Sequence, residues 1–290
     1  MSTGGRATTR RGPSVRRRQL GAMLRQLRKD AGKLREDAAE WLEVQPPTVS
    51  KIELGKQAIK PPAVRLLCTL YGADAGTTNT LVELARAANQ RGWWTQYRET
   101  TPEYFLSFVG QEADAATIWS YQSEWVPGQL QTAAYIEAST RTLVPDLPDD
   151  EVAKRVEFRM KRQEEVNHDQ PPELKYFLNE AVLRRPVGGA DVMREQLERL
   201  VEASRADNVS IRVVPFAAGA HAGMFGSFVM LQFPDEDVPG FVYVENRQGA
   251  VYQDTPADIE AYTVCLSQLD KVALDEEDSR AMITEAAGAL

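Results

Sequence analysis

The sequence predicts an α+β protein, in which an N-terminal all-α domain of five helices precedes an α+β domain with a mainly antiparallel sheet. The length of 290 residues suits two domains. Apolar residues recur at helical spacing through the first ninety residues, whereas runs rich in β-branched and aromatic residues concentrate in the C-terminal half. We therefore divide the chain into a flexible basic arm at 1–15, a helical domain at 16–90, an α+β domain at 91–274 and an acidic tail at 275–290.

The composition excludes several classes of protein. A hydrophobic content of 43% with 19 Gly and 16 Pro allows a real core, which excludes a collagen, a coiled-coil rod and a fully disordered chain. Cys68 and Cys265 are far apart in apolar contexts, so neither a disulfide framework nor a thiolate zinc site is expected. No stretch approaches eighteen apolar residues, and no secretory signal is recognisable. We expect a cytoplasmic protein without membrane contact.

Charge is distributed very unevenly along the chain. Residues 1–60 hold 14 Lys and Arg against 6 Asp and Glu, a net +8, whereas residues 61–290 hold 20 against 36, a net −16. The first acidic residue is Asp30, and six arginines precede Leu20 in the acid-free start: Arg6, Arg10, Arg11, Arg16, Arg17 and Arg18. Such a segment suits a phosphate backbone, because each neutralised phosphate releases condensed counterions. The alternatives are an organelle transit peptide and a solvated tail without contacts.

Five short helices are predicted in the first domain. In the first of them, Leu20, Leu24, Leu27 and Ala31 form one apolar stripe, which Gly32 ends. Proline pairs open the third and fourth helices, where they are tolerated in the first turn, and glycines end both. The predicted helices cover about 16–31, 34–42, 46–54, 61–71 and 77–89.

The second and third predicted helices are joined by a tight turn and have the spacing of a helix-turn-helix, although an ordinary helical bundle is the alternative. Three segments carry a more specific resemblance: 24–32, 38–42 and 44–55. Together they resemble the Cro/repressor-type helix-turn-helix of the xenobiotic-response-element family, and the likeness extends over nearly all of residues 16–72. The resemblance implies a transcriptional regulator that binds double-stranded DNA.

The resemblance also implies which residues contact DNA, because the recognition helix of this fold lies in the major groove with its N-terminal half against base edges. The candidates for base contact are Gln45, Pro47, Thr48 and Lys51. Pro46 and Pro47 depart from the family's Gln-rich start and can supply only apolar contacts. The candidates for phosphate contact are Arg16, Arg17, Arg18, Arg35 and Lys56. For each base-contact candidate, a surface position or a phosphate contact is the alternative.

Arg28 and Glu53 are the remaining residues that the resemblance singles out. The family commonly joins an Arg late in the first helix to a Glu late in the third. We expect a bidentate pair that fixes the recognition helix against the first helix; the alternative is two independently solvated charges.

The second domain is predicted to begin with an aromatic cluster at 90–98 that contains Trp93 and Trp94. A structural hub is the preferred interpretation, and stacking on bases is the alternative. Helices are then expected at 113–121, 129–140, 149–166, 191–206 and 257–273, with strands at 174–178, 209–214, 227–233 and 241–245. This order of elements is typical of an α+β domain.

The second domain carries a second resemblance. The segments are 91–94, 110–113, 126–132, 159–163, 213–215 and 243–245, in that order. They resemble the large C-terminal domain that accompanies this helix-turn-helix in antitoxin-like regulators of filamentous actinobacteria. The resemblance implies transcriptional regulation alongside a small partner protein encoded nearby, and it implies no particular ligand.

Catalytic and metal-binding patterns have little support in the sequence. The glycine-rich segment 219–226 runs from strand to strand, so we expect a β-hairpin loop rather than a phosphate cradle. The two histidines, His168 and His221, have no ligand-spaced Cys, Asp or Glu beside them. Ser227 lacks a nucleophile-elbow sequence. We therefore expect no enzyme activity, no metal and no cofactor.

Three functional hypotheses follow. The first is a homodimeric DNA-binding regulator whose C-terminal domain dimerises and senses a ligand or a protein. The second is an antitoxin-like protein that mainly sequesters a small partner protein and binds DNA for autoregulation. The third is an enzyme with a regulatory DNA-binding domain. We expect the acidic second domain to provide the dimer contacts, because its charge turns it away from DNA.

Overall fold

A computed structural model describes residues 13–89, 92–112, 114–167, 171–234 and 240–290. The described residues form two compact units that divide after Thr95, and we call residues 13–95 the first unit and the described residues from 96 onwards the second unit. Most of the predicted basic arm, with Arg6, Arg10 and Arg11, lies outside the described residues, as does His168. Within the described part of the chain, no helix is long and apolar enough to span a bilayer.

The first unit consists of five α-helices, as predicted. They are α1 (Pro13–Asp30), α2 (Arg35–Trp41), α3 (Pro46–Glu53), α4 (Pro61–Tyr71) and α5 (Ala75–Ala88). Pro46 and Pro61 occupy first helical turns, where their missing N–H groups have no helical partner to lose. One core joins all five helices, and its fully buried members include Leu20, Ala38, Val49, Val64, Leu67 and Leu81.

The second unit is an α+β domain, as predicted. Its helices and strands are, in order, α6 (Glu103–Glu112), β1 (Thr117–Gln122), α7 (Ala133–Leu143), α8 (Asp149–Val166), β2 (Glu173–Asn179), α9 (Ala181–Arg184), α10 (Ala190–Ala203), β3 (Val209–Val214), β4 (Phe228–Gln232), β5 (Phe241–Asn246), β6 (Gly249–Gln253), α11 (Pro256–Val272) and α12 (Glu276–Gly288). The six described strands form a single sheet in the order β3-β2-β1-β4-β5-β6.

The sheet is mixed. β2 lies between β1 and β3 and pairs with both in parallel. On the other side of β1, the pairs β1–β4, β4–β5 and β5–β6 are antiparallel. Parallel neighbours need crossover connections, and α7 with α8 and α9 with α10 supply them. On one face, which we call the α11 face, Phe177, Phe228 and Met230 pack under Leu266 and Leu269. The other face, which we call the α8 face, carries the alternate residues of the same strands.

Several predicted elements of the second unit are wrong. Residues 113–121 were expected to be helical, yet 117–122 form β1 at the centre of the sheet, because the β-branched and aromatic residues there alternate between its two faces. The loop at 219–226 is not a hairpin loop, since β2 and β1 lie between β3 and β4. α6 and β6 were not anticipated.

The segment 275–290 was predicted to be an acidic tail and instead forms α12. Its acidic residues lie in the first turn, where they complement the helix dipole, and Asp275 caps the helix by accepting a hydrogen bond from the Asp278 N–H at 2.8 Å. Ile283 and Ala286 are buried on the opposite side, and the Ser279 hydroxyl accepts a hydrogen bond from the Val213 N–H of β3. The segment is therefore an integral layer of the second unit.

Candidate nucleic-acid interface

Helix α3 is held close against α1 in the first unit. Val49 and Ile52 are buried in the shared core. Gly21 of α1 makes this contact possible, because a β-carbon at that position would lie 2.5 Å from the Ile52 carbonyl oxygen. The inner side of α3 is thereby fixed, and its outer side faces away from the core.

The turn between α2 and α3 contains an unusual backbone conformation. Glu43 has φ of +54°, and among the described residues it is the one non-glycine with a positive φ. Its N–H donates to the Glu40 carbonyl at 3.1 Å, and the next N–H, that of Val44, donates to the Ala39 carbonyl at 2.9 Å. The left-handed conformation ends α2 sharply and lets α3 start after only four intervening residues.

A buried ion pair connects three elements of the first unit. Arg28 Nε donates to Glu53 Oε1 at 2.5 Å and Arg28 Nη2 donates to Glu53 Oε2 at 3.1 Å, and the two side chains are 9% and 2% exposed. Arg28 Nη1 donates to the Lys33 carbonyl at 2.8 Å, and Arg35 Nε reaches Glu53 Oε2 at 3.2 Å. The hydrogen bond to Glu53 raises the pKa of Arg28. This network links α1, the start of α2 and the end of α3.

The structure places the four base-contact candidates on the outer side of α3 or at its start. Gln45, Pro47 and Lys51 are exposed, and Thr48 is half-buried. Leu54 is also exposed, at 41%, and it continues the line of Pro47 and Lys51 at a spacing of four and then three residues. The sequence interpretation missed Leu54, although this spacing was visible. The surface therefore offers amide, hydroxyl and ammonium groups beside two apolar ones.

The phosphate-contact candidates are not all placed alike. Arg17 turns toward the end of α5, where Nη2 donates to the Ala88 carbonyl at 3.4 Å, and burial lowers its pKa. The backbone and Cγ of Arg18 lie against Gly55, leaving no room for a β-carbon there. Arg35 shares Glu53, as described, with its side chain 41% exposed. Arg16 is half-buried and Lys56 is exposed. Arg17, in particular, has a structural role inside the first unit.

The remaining candidates lie in the second unit and do not form a reactive cluster. His221 lies against Tyr121, with ring centroids 5.7 Å apart, and burial lowers the pKa of its imidazole. The Ser227 hydroxyl is 3.1 Å from that of Ser123. Among the residues that the structure describes, no three His, Cys, Asp or Glu side chains are grouped as metal ligands would be.

A short two-helix unit with a locked inner side and an exposed, polar outer side defines the helix-turn-helix class of DNA-binding regulators. Comparison with family models agrees, since residues 19–81 match a helix-turn-helix domain. Residues 105–285 match the domain of unknown function DUF5753, and because this match covers more than half of the chain, the protein belongs to that family. No curated protein and no solved structure matches the chain significantly.

Proposed function

We propose that the protein is a sequence-specific transcriptional regulator that binds DNA as a homodimer and uses its second unit for dimerisation and for sensing a ligand or a protein partner. The observation that carries the proposal is the outer side of α3, which is polar, exposed and rigidly held by the pair of Arg28 and Glu53. Rigid presentation matters because base readout depends on hydrogen-bond geometry. The proposal includes no catalytic step.

In this proposal the outer residues of α3 divide the work in the major groove. Lys51 donates to guanine acceptors, and Gln45 and Thr48 read further donors or acceptors on base edges. Pro47 and Leu54 offer apolar contact to thymine methyl groups. Lys56, Arg16 and the arginines of the N-terminal arm contact phosphates, which adds affinity without specificity.

The second unit is the proposed source of the dimer. Phe216, Met224 and Phe225 are exposed large apolar side chains from the one connection between β3 and β4. Exposed apolar patches of this kind commonly mark protein–protein contacts. The net charge of −16 over residues 61–290 also disfavours placing this unit on DNA. We refer to these three residues as the β3–β4 patch.

An antitoxin-like function is the second candidate, and the β3–β4 patch supports it as well, because a small partner protein could bind there. The two candidates differ in what purifies with the chain. If a small protein co-purifies in stoichiometric amount and releases the chain from DNA, sequestration is favoured. If the chain purifies alone as a dimer and binds DNA, direct regulation is favoured.

Selection of bound sites from random duplexes tests the proposal on the full chain. We expect enrichment of one inverted-repeat sequence, with half-sites about one helical turn apart. Light scattering on the same preparation should give two chains per particle. Phe225→Asp should reduce this to one chain, whereas Val264→Asp, which changes another exposed apolar residue, on α11, should leave the dimer intact. No enriched sequence would refute specific DNA binding, and dimeric Phe225→Asp would remove the patch from the interface.

A further inference from the structure

The α8 face of the sheet contains a row of residues that includes two buried tyrosines. Strand register places Tyr176, Ser120, Val229 and Tyr243 side by side across β2, β1, β4 and β5. Both tyrosines are buried, at 3% and 4% exposure. The Tyr176 hydroxyl has no hydrogen-bond partner, whereas the Tyr243 hydroxyl interacts with the carboxylate of Glu245, two residues further along β5. Buried polar groups in folded proteins nearly always have partners, so the orphan hydroxyl of Tyr176 needs an explanation.

Val229, between the two tyrosines, is partly exposed to solvent. This is unusual, because β4 is paired with a strand on each side and its neighbours Phe228, Met230 and Leu231 are all buried. Val229 is on the α8 face, since Phe228 and Met230 pack on the α11 face. The α8 face is therefore open to solvent above Val229, and we call this opening the Val229 cleft.

Helix α8 supplies positive charge beside the cleft. Arg155, Arg159 and Arg162 recur at a spacing of four and then three residues, which places them on one side of the helix. Arg162 is buried and forms a bidentate pair with Glu112 of α6, at 2.5 and 2.7 Å. The Arg162 guanidinium lies 5.5 Å from the ring centroid of Phe108, which stacks on Tyr243. Its charge opposes the rise that burial causes in the pKa of Tyr176 and of Tyr243.

Arg159 lacks the carboxylate that its neighbour has. Its Nη1 donates to Gln131 Oε1 at 2.8 Å, and within the described residues no carboxylate oxygen lies at ion-pair distance. Burial and the nearby charges of Arg162 and Arg155 lower the pKa of Arg159 to about 10, against an opposing effect of Glu245. The buried Nε of Arg155 has no hydrogen-bond partner either. Among the described residues, neither Arg155 nor Arg159 therefore has a carboxylate at ion-pair distance, and Glu245 is a negative charge that acts on Arg159 from further away.

One orphan side-chain amide, that of Gln129, lies in a turn that packs on α8. Gln129 is 5% exposed, and neither its amide nitrogen nor its amide oxygen has a partner. It belongs to the short 3-10 turn at Gly128–Leu130, which packs on α8. A β-carbon on Gly128 would lie 2.9 Å from Arg162 Nη1, so this turn passes directly beside the buried ion pair. The turn also follows the carboxyl end of β1, the edge at which open sheets with parallel strands commonly bind ligands.

We propose that the Val229 cleft binds a small organic anion, with a carboxylate or phosphate group paired to Arg159 and Arg155 and an uncharged planar body held by Tyr176, Tyr243 and Gln129. Guanidinium groups bind both kinds of anion through paired N–H donors. Phe108, which stacks on Tyr243 with centroids 4.5 Å apart, adds an aromatic wall that suits a flat body. Such an anion is the ligand that the second unit senses in the function proposed above. Only the biological role of the anion, and not its binding, rests on that proposed function.

The test uses the full chain with two probes, inorganic phosphate and benzoate, each titrated at constant ionic strength with chloride as the reference. Calorimetry and thermal unfolding should show binding of at least one probe that chloride does not reproduce. Phosphate binding alone would identify a phosphate ester as the natural class, and benzoate binding alone a carboxylate. Binding of neither probe would overturn the proposal.

Arg159→Gln should weaken binding of the probe at least tenfold, because it removes the paired donors. Lys154→Gln is the matched control, since it removes one positive charge from an exposed position of the same helix, where Lys154 pairs with Asp150. If Arg159→Gln does not fold, as judged by circular dichroism, Arg155→Gln should still weaken binding severalfold. Equal binding by the wild-type chain and the folded arginine variant would show adventitious anion contact and overturn the proposal.

DNA binding by Arg159→Gln separates this inference from the function on which its role rests. We expect the variant to bind DNA as the wild-type chain does when no probe is present. If neither the wild-type chain nor any variant binds DNA, the proposed regulator function is contradicted. An anion site that calorimetry detects would be unaffected by that result.

Discussion

Both units contain a buried, bidentate Arg–Glu pair among their described residues, and the surroundings of the two pairs differ. In the first unit, Arg28 and Glu53 are hydrogen-bonded to each other, to a backbone carbonyl and to a second arginine. In the second unit, Arg162 and Glu112 are equally close, yet the buried hydroxyl of Tyr176 beside them has no partner. The first pair is joined by further hydrogen bonds to its neighbours, whereas a polar group beside the second pair remains without a hydrogen bond.

The two units use buried charge in different ways. A buried charge pair rarely adds much stability over an apolar replacement, but removing one partner is costly. The helices or strands that such a pair joins are therefore held in one arrangement. The pair of Arg28 and Glu53 therefore fixes α3 against α1 as a finished scaffold. The pair of Arg162 and Glu112 anchors a site in which donors remain available, as a binding cleft requires.

Arg28→Met should destabilise the protein more than any other substitution considered below. It leaves the Glu53 carboxylate buried without its main partner, which should reduce the free energy of unfolding of the first unit by about 3–5 kcal/mol. Denaturant titration followed by circular dichroism measures the loss, and DNA binding should fall with it. The double variant Arg28→Met with Glu53→Leu should recover much of the stability. A single variant that loses under 1 kcal/mol would contradict the locking role.

Lys51→Ala should weaken DNA binding by about 1–3 kcal/mol and relax the preference at one base pair per half-site, if Lys51 donates to a guanine as proposed. Fluorescence anisotropy against the selected duplex and its single-base variants measures both effects. Arg86→Ala is the control, because it removes one positive charge from an exposed ion pair on α5. Equal weakening on every sequence would reassign Lys51 to a phosphate.

Two tyrosine substitutions compare an orphan hydroxyl with a satisfied one. Tyr176→Phe removes a buried hydroxyl that has no partner, so it should raise the free energy of unfolding by about 1 kcal/mol. Tyr135→Phe should lower it by about as much, because the Tyr135 oxygen accepts a hydrogen bond from the Val126 N–H at 3.2 Å. Chemical denaturation measures both. A destabilised Tyr176→Phe would show that its hydroxyl already has a partner, such as a bound water.

The smallest expected effect is that of Glu43→Gly in the turn before α3. Glycine removes the steric cost of the left-handed conformation, roughly 1–2 kcal/mol, while losing more chain entropy on folding, about 0.5–1 kcal/mol. The net gain should be about 0.5 kcal/mol, visible as a small rise in the midpoint of thermal unfolding. Glu43→Ala should give no gain, since alanine retains the β-carbon.

The first unit could be predicted from sequence almost completely, because its helices are short, amphipathic and bounded by Pro and Gly. The second unit was harder for a physical reason. Ile118 and Tyr121 in β1 are three residues apart, a spacing that also suits a helix, and pairing with β2 and β4 decides the outcome. The acidic first turn of α12 likewise led to the prediction of a tail, although Ile283 and Ala286 further along the helix are buried.

The Val229 cleft could not be predicted, because Tyr176, Val229 and Tyr243 are distant in sequence and come together only through strand register. The outer side of α3 was predictable in part. Spacing and resemblance indicate Gln45, Thr48 and Lys51, whereas the inward turn of Arg17 depends on packing against α5, which no local pattern reveals.

The central proposal, a dimer that reads DNA through two copies of α3, is tested most directly by changing the spacing of the half-sites. The full chain is titrated by anisotropy against the selected duplex and against one with five base pairs inserted between its half-sites. Half a helical turn moves the second half-site to the opposite side of the duplex, so affinity should fall at least tenfold. Unchanged affinity would contradict paired recognition.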